Sequence, residues 1–147
     1  MERMIDPLEL DRQLCFALAA TSREVVRLYR PSLDPLGLTH PQYLVMLALW
    51  EQSPLRLREI ADRLHLEPAT VSPLVGRLES AGLVTRRRSA ADERAVDIEL
   101  TADGEQLRER ALAVPGEVVA RLGYPVERLE RLRDELTSLL EAAHRVG

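Results

Sequence analysis

Between residues 55 and 104 a helix-turn-helix pattern runs straight into an arginine-rich β-hairpin, and that order admits few folds. Leu55-Arg56-Leu57 reads as a short extended lead-in, and Arg58 to Leu64 as a supporting helix with the apolar edge Ile60, Ala61 and Leu64. After the turn His65-Leu66-Glu67, Val71, Leu74, Val75 and Leu78 recur at helical spacing, which puts Thr70, Pro73 and Arg77 on the opposite side. A proline is tolerated in a first turn, where N–H groups have no intrahelical partner, so this helix is expected to begin near Thr70. Gly82 supplies the left-handed residue that ends it. Leu83 to Arg88 and Ala95 to Leu100 then have strand character, joined by the polar tip Ser89 to Arg94. A helix-turn-helix followed by a hairpin with a charged tip describes a winged helix, which lays one helix in a DNA major groove while the hairpin reaches the neighbouring backbone.

The flanks are helical. Asp6-Pro7 reads as a cap and first turn, and Leu10, Leu14, Ala17, Thr21, Val25 and Leu28 keep helical spacing until Pro31 and Pro35, giving a first helix over 7–30. Thr39 caps a second helix with Pro41 in its first turn and the apolar face Leu44, Leu47 and Ala48; Ser53-Pro54 breaks it, and Trp50 seals that end of the core. Thr101 caps a fifth helix from Ala102 to about Ala113, which Val114-Pro115-Gly116 interrupts before a continuation towards Leu122. In the last helix, after Pro125, Leu129, Leu132, Leu136 and Leu139 step by the narrow seam that helices use against a partner helix; a seam buried inside the chain fits the same spacing. The expected fold is mostly α with a small antiparallel β-hairpin, six helical segments in all. Residues 1–147 read as a single domain, a winged helix-turn-helix lobe over 39–104 between dimerisation helices at 7–30 and 115–145, because two long amphipathic ends expose more apolar face than the small module covers.

Composition narrows the function classes. With 46% hydrophobic and 30% charged residues the chain is neither disordered nor fibrous. The run Leu44 to Trp50 is far shorter than a membrane span, and Met1 to Asp6 contain no signal-peptide core, so a cytoplasmic address without membrane contact is expected. One cysteine rules out an internal disulfide, and His40, His65 and His144 are too scattered for a metal set; no cofactor or metal is expected. The net charge of −4 argues against indiscriminate nucleic-acid binding, yet the basic residues are all arginine and unevenly spread. Five of them face three carboxylates between Arg77 and Arg94, a local charge of +2. By itself, a short arginine run is better explained as a solvated strand end. Five aromatics in the whole chain offer no stacking platform for single strands, which leaves duplex DNA.

The order helix-turn-helix, Gly82-Leu83-Val84, Asp92-Glu93-Arg94 and Leu100-Thr101-Ala102-Asp103-Gly104 resembles the MarR family of winged-helix repressors. Leu14-Cys15-Phe16, Ser22-Arg23-Glu24, Tyr29 and Thr39-His40-Pro41-Gln42-Tyr43 are similar to its OhrR branch, whose members repress organic hydroperoxide resistance genes. The resemblance implies a homodimer on a near-palindromic double-stranded operator, with the segment Pro68 to Arg77 in the major groove and Arg94 in the minor groove. The DNA-facing set is then Thr70, Ser72, Pro73 and Arg77, with Arg86, Asp92 and Arg94 on the wing. It also implies that Cys15 senses peroxide, with Tyr29 and His40 beside it. The chain departs from the branch by placing Ala19 and His40 where further tyrosines are typical.

Alone, a cysteine among Leu14, Phe16 and Leu18 reads as a small buried hydrophobe. As a sensor it works through its thiolate, which attacks a hydroperoxide to give a sulfenic acid. Placed two turns inside a helix starting at residue 7, Cys15 is expected to gain little from the helix dipole. Cys15, Ala19, Ser22, Val26 and Tyr29 share one stripe, but 14 residues at about 1.5 Å each separate Cys15 from Tyr29 by roughly 21 Å. An antiparallel crossing of two copies, as an isologous dimer permits, brings Cys15 of one to Tyr29 of the other. Without a second cysteine, a mixed disulfide with a small cellular thiol, or over-oxidation, must complete the switch. Two other classes stay open: a repressor released by a small phenolic or acidic ligand in the interface cleft, and a cysteine peroxidase-like enzyme, for which the chain offers neither a cysteine pair nor a catalytic triad. A non-enzymatic repressor is the reading the residues favour.

Overall fold

The computed structural model describes residues 6–147; residues 1–5, part of the segment without a signal-peptide core, lie outside it. The described residues form seven α-helices and a small sheet: α1 Leu14–Leu33, α2 His40–Glu51, α3 Leu57–Leu64, α4 Pro68–Ser80, α5 Ala102–Ala111, α6 Val114–Leu122 and α7 Val126–Val146. The strands are β1 Leu55–Arg56, β2 Val84–Arg88 and β3 Val96–Leu100, in the order β1-β3-β2 and antiparallel throughout. The chain divides into two compact units, one ending at Leu112 and the other Ala113–Gly147. No helix among the described residues is long and apolar enough to cross a membrane.

The first unit holds the helix-turn-helix and wing. Val71, Val75 and Leu78 of α4, Ile60 of α3, Val45, Met46 and Leu49 of α2, and Val84 and Ile98 of the sheet are fully buried. Fully burying such a side chain is worth about 2 kcal/mol, which selects one apolar face on each helix. His65 turns the chain between α3 and α4 in the left-handed conformation, at φ 56°. The hairpin register runs from Val84 opposite Leu100 to Arg88 opposite Val96.

Five expectations need correction. The first helix does not begin at residue 7: a 3₁₀ turn at Leu10–Arg12 precedes extended backbone at Gln13, and α1 starts at Leu14. The Gln13 side-chain amide donates to the carbonyls of Pro7 (2.8 Å) and Glu9 (3.1 Å), holding the break in place. Pro31 lies inside α1, which continues until Ser32 and Leu33 are buried. In α2 the buried face is Tyr43, Val45, Met46 and Leu49, while Leu47 is exposed; the helix is apolar nearly all round, so spacing alone does not choose the face. Leu55-Arg56 is a third strand, paired with Ile98 and Asp97. α4 starts at Pro68, whose missing N–H costs nothing at a first position, so Pro73 sits in the helix interior instead of its first turn. The interruption near Val114-Pro115-Gly116 separates two helices, making seven segments where six are expected.

One knot fixes the base of the wing. The Thr101 hydroxyl donates to the Gly82 carbonyl (2.6 Å) and accepts from the Gly104 amide (3.1 Å), while the Thr101 amide donates to the Leu83 carbonyl (3.0 Å). The Trp50 indole N–H donates to the Gly104 carbonyl at 2.9 Å. A Cβ on Gly104 would lie 2.1 Å from the Leu83 carbonyl oxygen, so no other residue fits without moving backbone. Gly104→Ala is expected to cost about 2–3 kcal/mol, seen as a lower Tm in thermal unfolding; an unchanged Tm refutes the close approach.

Candidate functional site

The outward side of α4 carries Thr70, Pro73 and Arg77, all exposed, with Ser72 half-buried beside them. The wing adds cations unevenly. Arg86 is turned back onto α4: its guanidinium donates to the Ser72 carbonyl (3.1 Å) and lies 3.7 Å from Glu79, whose carboxylate also accepts from the Arg86 amide (3.3 Å). Arg87 lies 3.6 Å from Glu99. Arg77, Arg88 and Arg94 have no ion pair among the described residues. At the tip the Asp92 carboxylate accepts from the Arg94 amide (3.0 Å), and the Ala95 amide donates to the Asp92 carbonyl (3.0 Å), so Asp92 shapes the turn that presents Arg94.

A second cluster lies where α1 passes the start of α2. The Tyr29 ring meets His40 edge-on with centroids 4.9 Å apart, and Tyr43 lies 5.9 Å from Tyr29 and 6.3 Å from His40. Thr39 and Gln42 form a reciprocal capping box that sets the α2 start and therefore the placement of His40 and Tyr43. Burial lowers the His40 pKa, so the ring is neutral near pH 7; burial, with the nearby Tyr29 adding to it, raises the Tyr43 pKa. Beside the cluster opens a cavity of about 350 Å³ between α1 and the α2 start.

Cys15 stands apart from that cluster on the same helix. It is exposed, not a buried hydrophobe, and it is the second residue of α1 instead of two turns inside a helix. It therefore stands in the first turn, where the helix N–H groups lack intrahelical partners.

A family model described as "MarR family" matches residues 38–96, from just before α2 to the start of β3. The organic hydroperoxide resistance transcriptional regulator of Bacillus subtilis (strain 168) is 43% identical over 144 residues, 98% of each chain. The chain belongs to the MarR family. Reduced AbfR bound to DNA is similar in structure, with a TM-score of 0.74, 35% identity and coverage of 94% of this chain and 95% of that one. CouR from Rhodococcus jostii RHA1 bound to p-coumaroyl-CoA matches at a TM-score of 0.75 and 30% identity, over 90% and 94%. This MarR-family chain is thus a winged-helix transcriptional regulator, and the helix-turn-helix and hairpin read from the sequence are those of the family.

Two features of the site escape the sequence reading. Tyr43, in the quoted run Thr39 to Tyr43, is the buried member of the ring cluster; its separation from Tyr29 hides the contact, which only the α1–α2 packing creates. Arg86 braces the regulator's wing against α4, where the sequence suggests a contact with DNA. Arg86→Ala should therefore lower Tm by unfastening β2 from α4; a variant with unchanged Tm would show the bracing to be idle. His40 supplies a pH test. The folded chain takes up its proton less readily than the unfolded chain, so stability falls as pH drops through about 6.5. Between pH 7.5 and 5.5 the Tm of His40→Gln should fall less than that of the wild type, and parallel losses would contradict the assignment.

Proposed function

We propose that this regulator is a homodimeric repressor that holds a near-palindromic double-stranded operator and releases it when an organic hydroperoxide oxidises Cys15. The observation that carries the reading is the position of Cys15, exposed in the first turn of α1 on the stripe that ends at the Tyr29–His40–Tyr43 cluster. An antiparallel crossing of α1 with its copy brings Cys15 of one protomer to the partner's Tyr29 and covers Leu14 (58% exposed) and Phe16. The seam of α7 supports the same assembly, since Leu132, Leu136 and Leu139 are exposed in the single chain. Helix α1 and the 115–145 segment then serve as dimerisation helices around the 39–104 lobe. On the DNA, Thr70, Ser72, Pro73 and Arg77 address the major groove and Arg94, presented by Asp92, the minor groove. The DNA complex of AbfR and the function named for the Bacillus subtilis relative support both halves of the reading.

The chemistry balances with two partners of named class. The Cys15 thiolate attacks the distal oxygen of the hydroperoxide; the O–O bond breaks, an S–O bond forms, sulfur gives up an electron pair, and the alkoxide takes a proton to leave as an alcohol. In this reading the partner's Tyr29 is the phenol that donates to the thiolate or to that alkoxide. The sulfenic acid then condenses with a small cellular thiol to a mixed disulfide and water, the chain having one cysteine.

The deciding experiment is operator binding by anisotropy for wild type and Cys15→Ser, with and without an organic hydroperoxide and a small thiol. Release of the wild type alone is expected. Equal release of both removes the thiol switch and favours a ligand-released regulator, the reading that the p-coumaroyl-CoA complex of CouR supports; sustained peroxide consumption with thiol would mark a peroxidase-like enzyme. In the same assay Arg94→Ala should weaken binding and reduce the slope of log K against log salt by about one. Unchanged slope and affinity would sink that contact.

A further inference from the structure

The run Arg86-Arg87-Arg88 lies in β2, and strand alternation sends its members to opposite faces of the wing. Cross-strand partners share a face: Val84 stands opposite Leu100, Arg86 opposite Ile98 and Arg88 opposite Val96, whereas Thr85 and Arg87 stand opposite Glu99 and Asp97. The first set faces α4, because Val84 and Ile98 are buried and the Arg86 guanidinium crosses α4 at Gly76, 3.6 Å from where a Cβ there would lie, to reach the Ser72 carbonyl. The second set faces away. There Arg56, Asp97 and Arg87 form one row across all three strands, and Arg87 lies 3.6 Å from Glu99, so two cations are matched by two carboxylates. The side toward α4 is not balanced in this way. Glu79 engages Arg86, and beyond it, at the open end of the same face, Arg88 is exposed beside Val96 (41% exposed) with no ion pair among the described residues.

We propose that Arg88 grips a DNA phosphate on the α4-facing side of the wing, on the stretch of backbone between the major groove addressed by α4 and the minor groove addressed by Arg94. The proposal rests on the DNA-binding reading above and is independent of the redox step. Arg88 is the last residue of β2, so it stands between the helix that carries Arg77 and the tip that carries Arg94. A duplex engaged by both lays the intervening backbone across the notch between them. Arginine suits a phosphate there because its planar fork makes two parallel charge-assisted hydrogen bonds. Such a contact fixes the position of the protein on the duplex and reads no sequence. Arg86 is withheld from this role by its hold on α4, and Arg87 by its face and by Glu99. Of three consecutive arginines, one meets the duplex.

The test uses the full-length protein, a duplex selected from a random-sequence pool by repeated rounds of binding, and an unselected duplex, each titrated across a salt series. Arg88→Gln is expected to weaken binding to both duplexes about tenfold and to reduce the slope of log K against log salt by about one. Arg88→Lys keeps the charge and should keep the slope. Arg87→Gln and Arg56→Gln should leave slope and affinity unchanged, with Tm read for every variant as the check on folding. A slope and affinity unmoved by Arg88→Gln overturn the proposal, as does a slope that falls as far with Arg87→Gln or Arg56→Gln. A wild type that binds neither duplex overturns the DNA-binding reading together with it.

Discussion

The geometry of this regulator depends on the close approach of two backbones at Gly104. Leu83 follows the end of α4 and leads into the wing; Gly104 lies in the first turn of α5; and the two come so near that a methyl group cannot stand between them. Thr101 joins them by donating to one carbonyl and accepting from one amide, and Trp50 ties the end of α2 to the same point. Wing, α4 and α2 thus share one fixed corner. The aim of α4 relative to the hairpin follows from it, because β2 begins two residues after the left-handed Gly82 and has no other freedom to turn.

Much of this was legible in the residues because the signals were local. Gly82 ends a helix, Thr101 caps the next, and the alternation of Val96, Ile98 and Leu100 marks a strand, each through chemistry confined to a few neighbours. The errors came where local rules compete. Pro68 and Pro73 each make acceptable helix starts, and the Arg86 guanidinium, donating from β2 to the Ser72 carbonyl, helps hold the longer helix. The start of α1 was hidden for a similar reason: Asp6-Pro7 is a good cap by composition, yet the Gln13 side chain captures the carbonyls that a continuous helix would need. Dense apolar composition misled in α2, where nearly every face is hydrophobic and only tertiary packing selects one.

The candidate site was legible in part. The stripe from Cys15 to Tyr29 follows from helix periodicity, and its length excludes contact within one chain. The ring cluster does not follow, since Tyr29, His40 and Tyr43 come from two helices whose approach is set by the capping box at Thr39 and the burial of Leu33 and Leu38. Charge was the least legible quantity. An arginine run looks like a phosphate-facing patch, but Arg86 and Arg87 are drawn to Glu79 and Glu99, which leaves Arg88 and Arg94 on the wing and Arg77 on the helix to carry the unpaired positive charge.

That partition bears on how an event at the ring cluster reaches the wing. His40 and Tyr43 stand in the first turn of α2, and Trp50 stands in its last, about 15 Å away along a continuous helix. The intervening residues Val45, Met46 and Leu49 are fully buried, so α2 moves as a unit or not at all. On the proposed reading, a displacement of its N-terminal end by a changed group at Tyr29 is passed, through Trp50, to the Gly104 corner between α4 and the wing. Rigid packing has two ways to respond: hold its place and resist the change, or tip the corner and misalign Arg77 with Arg94. On the proposed reading, in which Arg77 and Arg94 address neighbouring grooves, misaligning those two cations forfeits contacts, because a duplex presents its grooves at fixed spacing.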